Sequence, residues 1–142
     1  MFHLQIITLS GVFKDSEAFE IRVPTTGGDI AINGGHAPLV GAIRPGVLSI
    51  ISKRGDRPEQ IEQVGVYEGT VEVLHNVVHI LVDDVDTPDD ITEAEAQKAF
   101  AHAKVLTEKA GDSVALAEAQ SMMDRSAVRL QLAGLKKRSS KH

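Results

Sequence analysis

Residues 2–9 (Phe-His-Leu-Gln-Ile-Ile-Thr-Leu) open by alternating apolar and polar side chains, the period of a strand with one buried face. Strand-like runs follow at short intervals: Phe19–Val23, Asp29–Ile32, Val47–Ser52, Gln60–Val66, Thr70–Leu74 and Val77–Val82. Turn signals separate them at Pro24, Gly27-Gly28, Gly34-Gly35, Pro45-Gly46, Gly55-Asp56 and His75-Asn76. Many short strands with no helical period between them predict an antiparallel sandwich or barrel, closed by a hairpin about His75-Asn76. After residue 90 the period changes. Ala96, Ala99, Ala103, Leu106 and Ala110 recur at steps of three and four, which predicts a helix over 91–110. Asp90, with Glu93 three positions on, is the expected cap. Gly111-Asp112-Ser113 ends that helix and starts a second over 113–137, with Leu116, Ala119, Met123, Ala127 and Leu130 as its apolar stripe. So short a loop makes the two helices antiparallel neighbours.

Composition sharpens this division. Of 26 Val and Ile residues 22 lie in residues 1–90, as do all 5 Pro and 10 of the 12 Gly, whereas 11 of the 15 Ala lie after residue 90. The expected organisation is a β unit over 1–85, an acidic linker over 86–90 and a helical hairpin over 91–142. A seam made mainly of alanine allows close helix approach but buries little area, so the hairpin is expected to be a marginal unit, able to come apart without unfolding the sheet.

Charge divides the same way. Residues 1–121 carry a net −10 and residues 122–142 a net +5. An acidic body argues against nucleic acid as a partner, while a basic end leaves room for a local contact with an acidic surface. No apolar run reaches the length of a membrane span, and the start has neither a secretory signal nor a transit-peptide pattern, which predicts a chain that stays in the cytosol or its equivalent, of a bacterial source or of a plastid that encodes it. Zero Cys removes disulfides and thiolate chemistry.

Catalytic constellations are weak throughout. There is no phosphate-cradling Gly-x-x-x-x-Gly-Lys-Ser/Thr and no Gly-x-Ser-x-Gly elbow. His75 and His79 would span about 13 Å along a strand, too far to share one zinc ion. The acids at 83–90 lack the glycine and distal glutamate of a calcium loop. No metal, cofactor or catalytic residue is expected. The informative segment is 28–46, where a short strand, a tight turn, His36-Ala37-Pro38 and Arg44-Pro45-Gly46 follow one another. A histidine there is expected to hold the corner by bonding to backbone.

On Gly28-Asp29, Gly35-His36-Ala37-Pro38-Leu39, Arg44-Pro45-Gly46 and Gly69-Thr70-Val71-Glu72-Val73, followed by the Ala-rich helix pair, the chain resembles the epsilon subunits of F-type ATP synthases over essentially its whole length. The resemblance implies an α+β fold, an N-terminal sandwich of ten short strands followed by a C-terminal antiparallel two-helix hairpin. It also implies a noncatalytic place in the central stalk. The sandwich would bind the gamma subunit and rest on the c-ring through Asp29, Asn33, Gly35 and His36. The hairpin would extend to the alpha/beta catalytic head and inhibit ATP hydrolysis, with Arg125, Arg129, Lys136, Lys137 and Arg138 meeting acidic beta-subunit surface. The location implied is peripheral, on the cytoplasmic face of a bacterial inner membrane.

Three departures from the family pattern matter. Gly34 stands where proline is usual, so a looser turn is expected, and Glu68 stands where the first of two glycines is common. Thr92 and Glu95 replace the acid and the arginine of the nucleotide-binding hairpin pattern. A carboxylate where a phosphate-pairing cation belongs repels the nucleotide, so no ATP site is expected. The alternatives from other classes are a free-standing β-sandwich binding module and a small enzyme using His36 as base, the latter without a nucleophile or cofactor cradle.

Overall fold

The structure, a computed structural model, describes residues 1–139, with side chains described as far as Leu135. Ten strands precede two helices: β1 Phe2–Thr8, β2 Gly11–Ala18, β3 Glu20–Thr25, β4 Gly28–Asn33, β5 Leu39–Ile43, β6 Gly46–Ile51, β7 Glu62–Val66, β8 Gly69–Leu74, β9 Val77–Val82 and β10 Val85–Asp86, then α1 Glu93–Lys109 and α2 Ser113–Ser139. Single 3-10 turns occupy Pro58–Gln60 and Pro88–Asp90. The chain divides into two compact units, one from Met1 to Val85 and one from Asp86 onward.

In the first unit the hydrogen-bonded path runs β10-β7-β6-β3-β5-β8-β9-β1-β2, with β4 attached to β3 off this path. β3 switches partners along its length: Glu20–Arg22 pair with β6, Thr25 pairs with β5, and the other edge carries β4. That switch folds the sheet over on itself. Period-two alternation then sends Phe2, Leu4 and Ile6 of β1, Ile21 and Val23 of β3, Leu48 and Ile50 of β6, and Val78 and Ile80 of β9 into one core. β1 lies parallel to β9, pairing His3 with Val77 and Gln5 with His79, a departure from the uniformly antiparallel sheet expected. Parallel neighbours need a long connection, and nearly the whole unit intervenes between these two strands.

β2, β5 and β10 fall outside the predicted runs. β2 carries a bulge: Ile6 pairs with Lys14 and Ile7 with Val12, leaving Phe13 as the extra residue, and so its alternation breaks midway. β5 is short, with Gly41 and Ala42 at its centre and an exposed Val40.

The hairpin at His75-Asn76 forms as predicted, and both residues have positive φ, 49° and 63°. Those are the angles of a two-residue turn whose twist matches that of its strands, and asparagine tolerates them well.

In the second unit Thr92, not Asp90, caps α1, its Oγ1 accepting from the Glu95 N–H at 3.3 Å. Asp90 is consumed in the preceding 3-10 turn, where it accepts from the Thr87 hydroxyl at 2.7 Å. Ala96 and Ala103 are buried on α1, as expected. The α2 stripe is rotated from its expected position. Ala119 is buried but Leu116 and Ala127 are exposed, and among the described side chains Ser126, Val128, Leu132 and Ala133 are the further buried positions. Ser126 tolerates burial because its Oγ donates to the Met122 carbonyl one turn back at 2.9 Å.

Candidate functional site

Two turns flank β4, and each is built by residues far apart in sequence. At the β4 start, the β3–β4 hairpin pairs Thr25 with Gly28, and the Thr25 hydroxyl donates to the Gly28 carbonyl. Arg44, at the end of β5, grips this hairpin three times. Its N–H donates to the Pro24 carbonyl at 3.1 Å, its Nε to the Thr25 carbonyl at 3.1 Å, and its Nη2 lies 2.7 Å from Asp29 Oδ1. The glycine of Arg44-Pro45-Gly46 is explained by close packing, since a Cβ there would lie 2.8 Å from the Pro24 Cβ. Asp29 itself is 73% exposed, so this ion pair is a surface pair that leaves the carboxylate open on its other side.

At the β4 end, the His36 N–H donates to the Asn33 carbonyl at 3.3 Å, closing a four-residue turn over Asn33–His36. Gly35 takes φ +78° at its third position, a conformation that calls for glycine. The second position of such a turn favours proline, which accounts for the family pattern that Gly34 breaks. A Cβ on Gly34 would lie 2.8 Å from the Met1 nitrogen, so the first residue packs directly against the turn. The Gly35 N–H donates to Asn76 Oδ1 at 2.9 Å. His36 holds the following corner as expected, its Nδ1 donating to the Ala37 carbonyl at 2.7 Å.

The four predicted contact residues are thus not one cluster. Asp29 and Asn33 share the exposed face of β4 at a separation of about 13 Å, and Gly35 and His36 continue beyond Asn33. Together they form an exposed strip along a strand whose one hydrogen-bonded partner in the sheet is β3.

Of the five basic residues predicted on α2, Arg125 and Arg129 have described side chains, both half-buried; the side chains of Lys136, Lys137 and Arg138 lie outside the described residues. Arg129 Nε donates to Asp86 Oδ2 at 3.0 Å. Thr92 has a structural use as the α1 cap, its hydroxyl accepting from the backbone N–H of Glu95, whose side chain is exposed. On β1, His3 contacts Asp15 through Nε2 and Glu17 Oε1 through Nδ1, the latter at 3.1 Å. The Glu17 bond raises the imidazole above its ordinary value, partial desolvation opposes it, and Asp15 adds to the rise. Among the described residues no helix is long and apolar enough to cross a membrane, and no group of acids and histidines is arranged to hold a metal ion.

Residues 1–88 match the family model of the ATP synthase delta/epsilon chain, beta-sandwich domain. The chain belongs to this family. It is 37% identical over 135 residues to the ATP synthase epsilon chain of Chloroflexus aggregans, covering 95% of this chain and 94% of that one. It is 32% identical over 133 residues to the epsilon chain of Nostoc sp., covering 92% and 95%. In fold it is similar to a chain in the cryo-EM structure of the Euglena gracilis mitochondrial ATP synthase OSCP/F1/c-ring, with a TM-score of 0.79, 19% identity, and 93% of this chain and 79% of that chain covered. Asn76, Met1 and Asp86 lie outside the contact residues that the sequence predicts. The positive-φ turn signal at His75-Asn76 was the trace that the first of them left in the sequence.

Proposed function

We propose that this chain is a noncatalytic rotor subunit of an ATP synthase, its β unit joining the gamma subunit to the c-ring and its helical hairpin restraining ATP hydrolysis. The observation that carries the reading is the match to epsilon chains along 95% of the sequence, hairpin included. Such a subunit works as a mechanical joint, and a ten-strand unit with a continuous core suits a part that transmits torque. The exposed strip from Asp29 to His36 is the c-ring contact, which would hold the chain peripheral to the membrane. The basic residues of α2 are the contact with the acidic surface of the catalytic head, since exposed or half-buried cations suit a reversible, salt-sensitive attachment.

Two experiments test these parts separately. Reconstituting the complex with a chain lacking residues 91–142 should preserve assembly and raise ATP hydrolysis; an unchanged rate means that the hairpin has only a structural part. Asp29→Lys should impair coupling, and full coupling in that variant removes the c-ring contact from this strip.

A further inference from the structure

Asn76 connects three segments that are distant in sequence. Its Oδ1 accepts from the Gly35 N–H at 2.9 Å, and its Nδ2 donates to the Met1 carbonyl at 2.9 Å. Its own carbonyl accepts from the His3 N–H at 3.1 Å, which anchors the turn residue to β1. Both polar atoms of the side chain are therefore used, and each is used on backbone. The segment it reaches is the turn in which Gly35 holds φ +78° and against whose Gly34 the backbone of Met1 is packed. Residues 33–36 are exposed, so no apolar burial fixes their conformation. What defines the turn is its closing bond, the Met1 packing and the amide of Asn76.

We propose that Asn76 is the positioning residue of the Asn33–His36 turn, holding Gly35 and His36 in the arrangement presented to the c-ring. The inference rests on the reading of that turn as a ring contact, and extends it to a residue outside the turn. The β8–β9 hairpin belongs to the rigid core sheet, with Val78 and Ile80 fully buried, so its tip is a fixed post. A turn tied to such a post meets its partner already ordered, and a preordered contact loses less entropy on binding. The left-handed backbone of Asn76 aims the amide at Gly35. Glycine can take the same angles and keep the hairpin while removing both side-chain bonds.

Hydrogen exchange of the full chain, together with its association with detergent-solubilised c-ring carrying gamma, tests this. In Asn76→Gly the Gly35 amide should exchange about tenfold faster, the loss of one modest hydrogen bond, while the Val78 and Ile80 amides keep their rates. Association with the ring should weaken, and Asn76→Asp, which retains the acceptor for Gly35, should recover part of both. Unchanged exchange at Gly35 overturns the proposal, as does an equal rise at Val78 and Ile80, which would make Asn76 merely a hairpin residue. Faster Gly35 exchange with undiminished ring association overturns it too. The ring reading fails by a different result, an Asp29→Lys chain that associates as the unsubstituted one does, and the Gly35 rates then still decide whether Asn76 holds the turn.

Discussion

Lys14 of β2 and Glu62 of β7 are 48 residues apart in sequence, yet their Nζ and Oε2 lie 2.9 Å from each other. β2 is one end of the hydrogen-bonded path and β7 is next to the other end, so this ion pair bridges the two margins of the folded sheet where no ladder does. Lys14 pairs with the buried Ile6, and its side chain is 22% exposed, so its methylenes cover the core edge while the ammonium reaches Glu62. Removing the pair should cost little through charge alone. A double-mutant cycle with Lys14→Ala and Glu62→Ala should give a coupling of about 0.5 kcal/mol in chemical denaturation, falling further at high salt. Coupling above about 2 kcal/mol would mean that the seam depends on this pair far more than its exposure allows.

Gly69 offers a sharper prediction. A Cβ at this position would lie 2.0 Å from the Leu81 carbonyl oxygen and 2.8 Å from a Val82 methyl. Backbone cannot move aside as a flexible side chain can, so Gly69→Ala should spread β8 from β9 and destabilise the β unit by about 3 kcal/mol. A loss below about 1 kcal/mol in urea unfolding would show that the two strands yield more easily than their packing implies.

What could be read in advance follows from what each residue contributes to hydropathy. β1, β8 and β9 have alternating, β-branched faces, and the sequence displays them plainly. β2 hides because Phe13 is inserted out of step, and β5 because Gly41 and Ala42 give it almost no hydropathy contrast. The rotation of the α2 stripe has a similar cause. In a helix so rich in alanine the apolar side is faint, and Ser126, polar on paper, buries itself by bonding to its own backbone. The exposed strip was legible through its turn chemistry, whereas its attachments to Arg44, Met1 and Asn76 are long-range contacts that no local pattern encodes.

His3 should make stability depend on pH. Both ring nitrogens face carboxylates, an arrangement that satisfies only the doubly protonated ring, and its pKa is raised in the folded chain, chiefly by Glu17. The gain is therefore complete below the unfolded value of 6.5 and disappears as pH rises through the higher folded value. The difference in Tm between the unsubstituted chain and His3→Gln should be larger just below pH 6.5 than at pH 9. A constant difference across that range would remove the proton from the account.

The hairpin should not bind ATP. The Thr92 hydroxyl is used in capping α1, where it accepts from the Glu95 N–H, and Glu95 leaves an exposed carboxylate at the position where the nucleotide-binding pattern has a cation. Calorimetry of the isolated subunit should detect no binding at about millimolar ATP, an affinity limit near 4 kcal/mol. Binding at that concentration or tighter would overturn this expectation.

Arg129 and Asp86 supply the last prediction, which separates two uses of one arginine. Their 3.0 Å contact involves an Asp86 side chain only 16% exposed, so it belongs among ion pairs worth about 1 kcal/mol. If Arg129 also meets the acidic surface of the catalytic head, then Asp86 competes with that surface for it. Weakening the internal pair shifts that competition toward the surface, and a change of about 1 kcal/mol moves such an equilibrium roughly fivefold. Asp86→Asn should therefore deepen the inhibition of ATP hydrolysis in the assembled enzyme, whereas Arg129→Ala should relieve it, although both weaken the same contact. Equal changes of one sign would show that the pair does no more than hold the helical unit together. Opposite signs are expected when Arg129 engages the acidic surface and Asp86 draws it back, because one substitution then favours the engaged arginine and the other removes it.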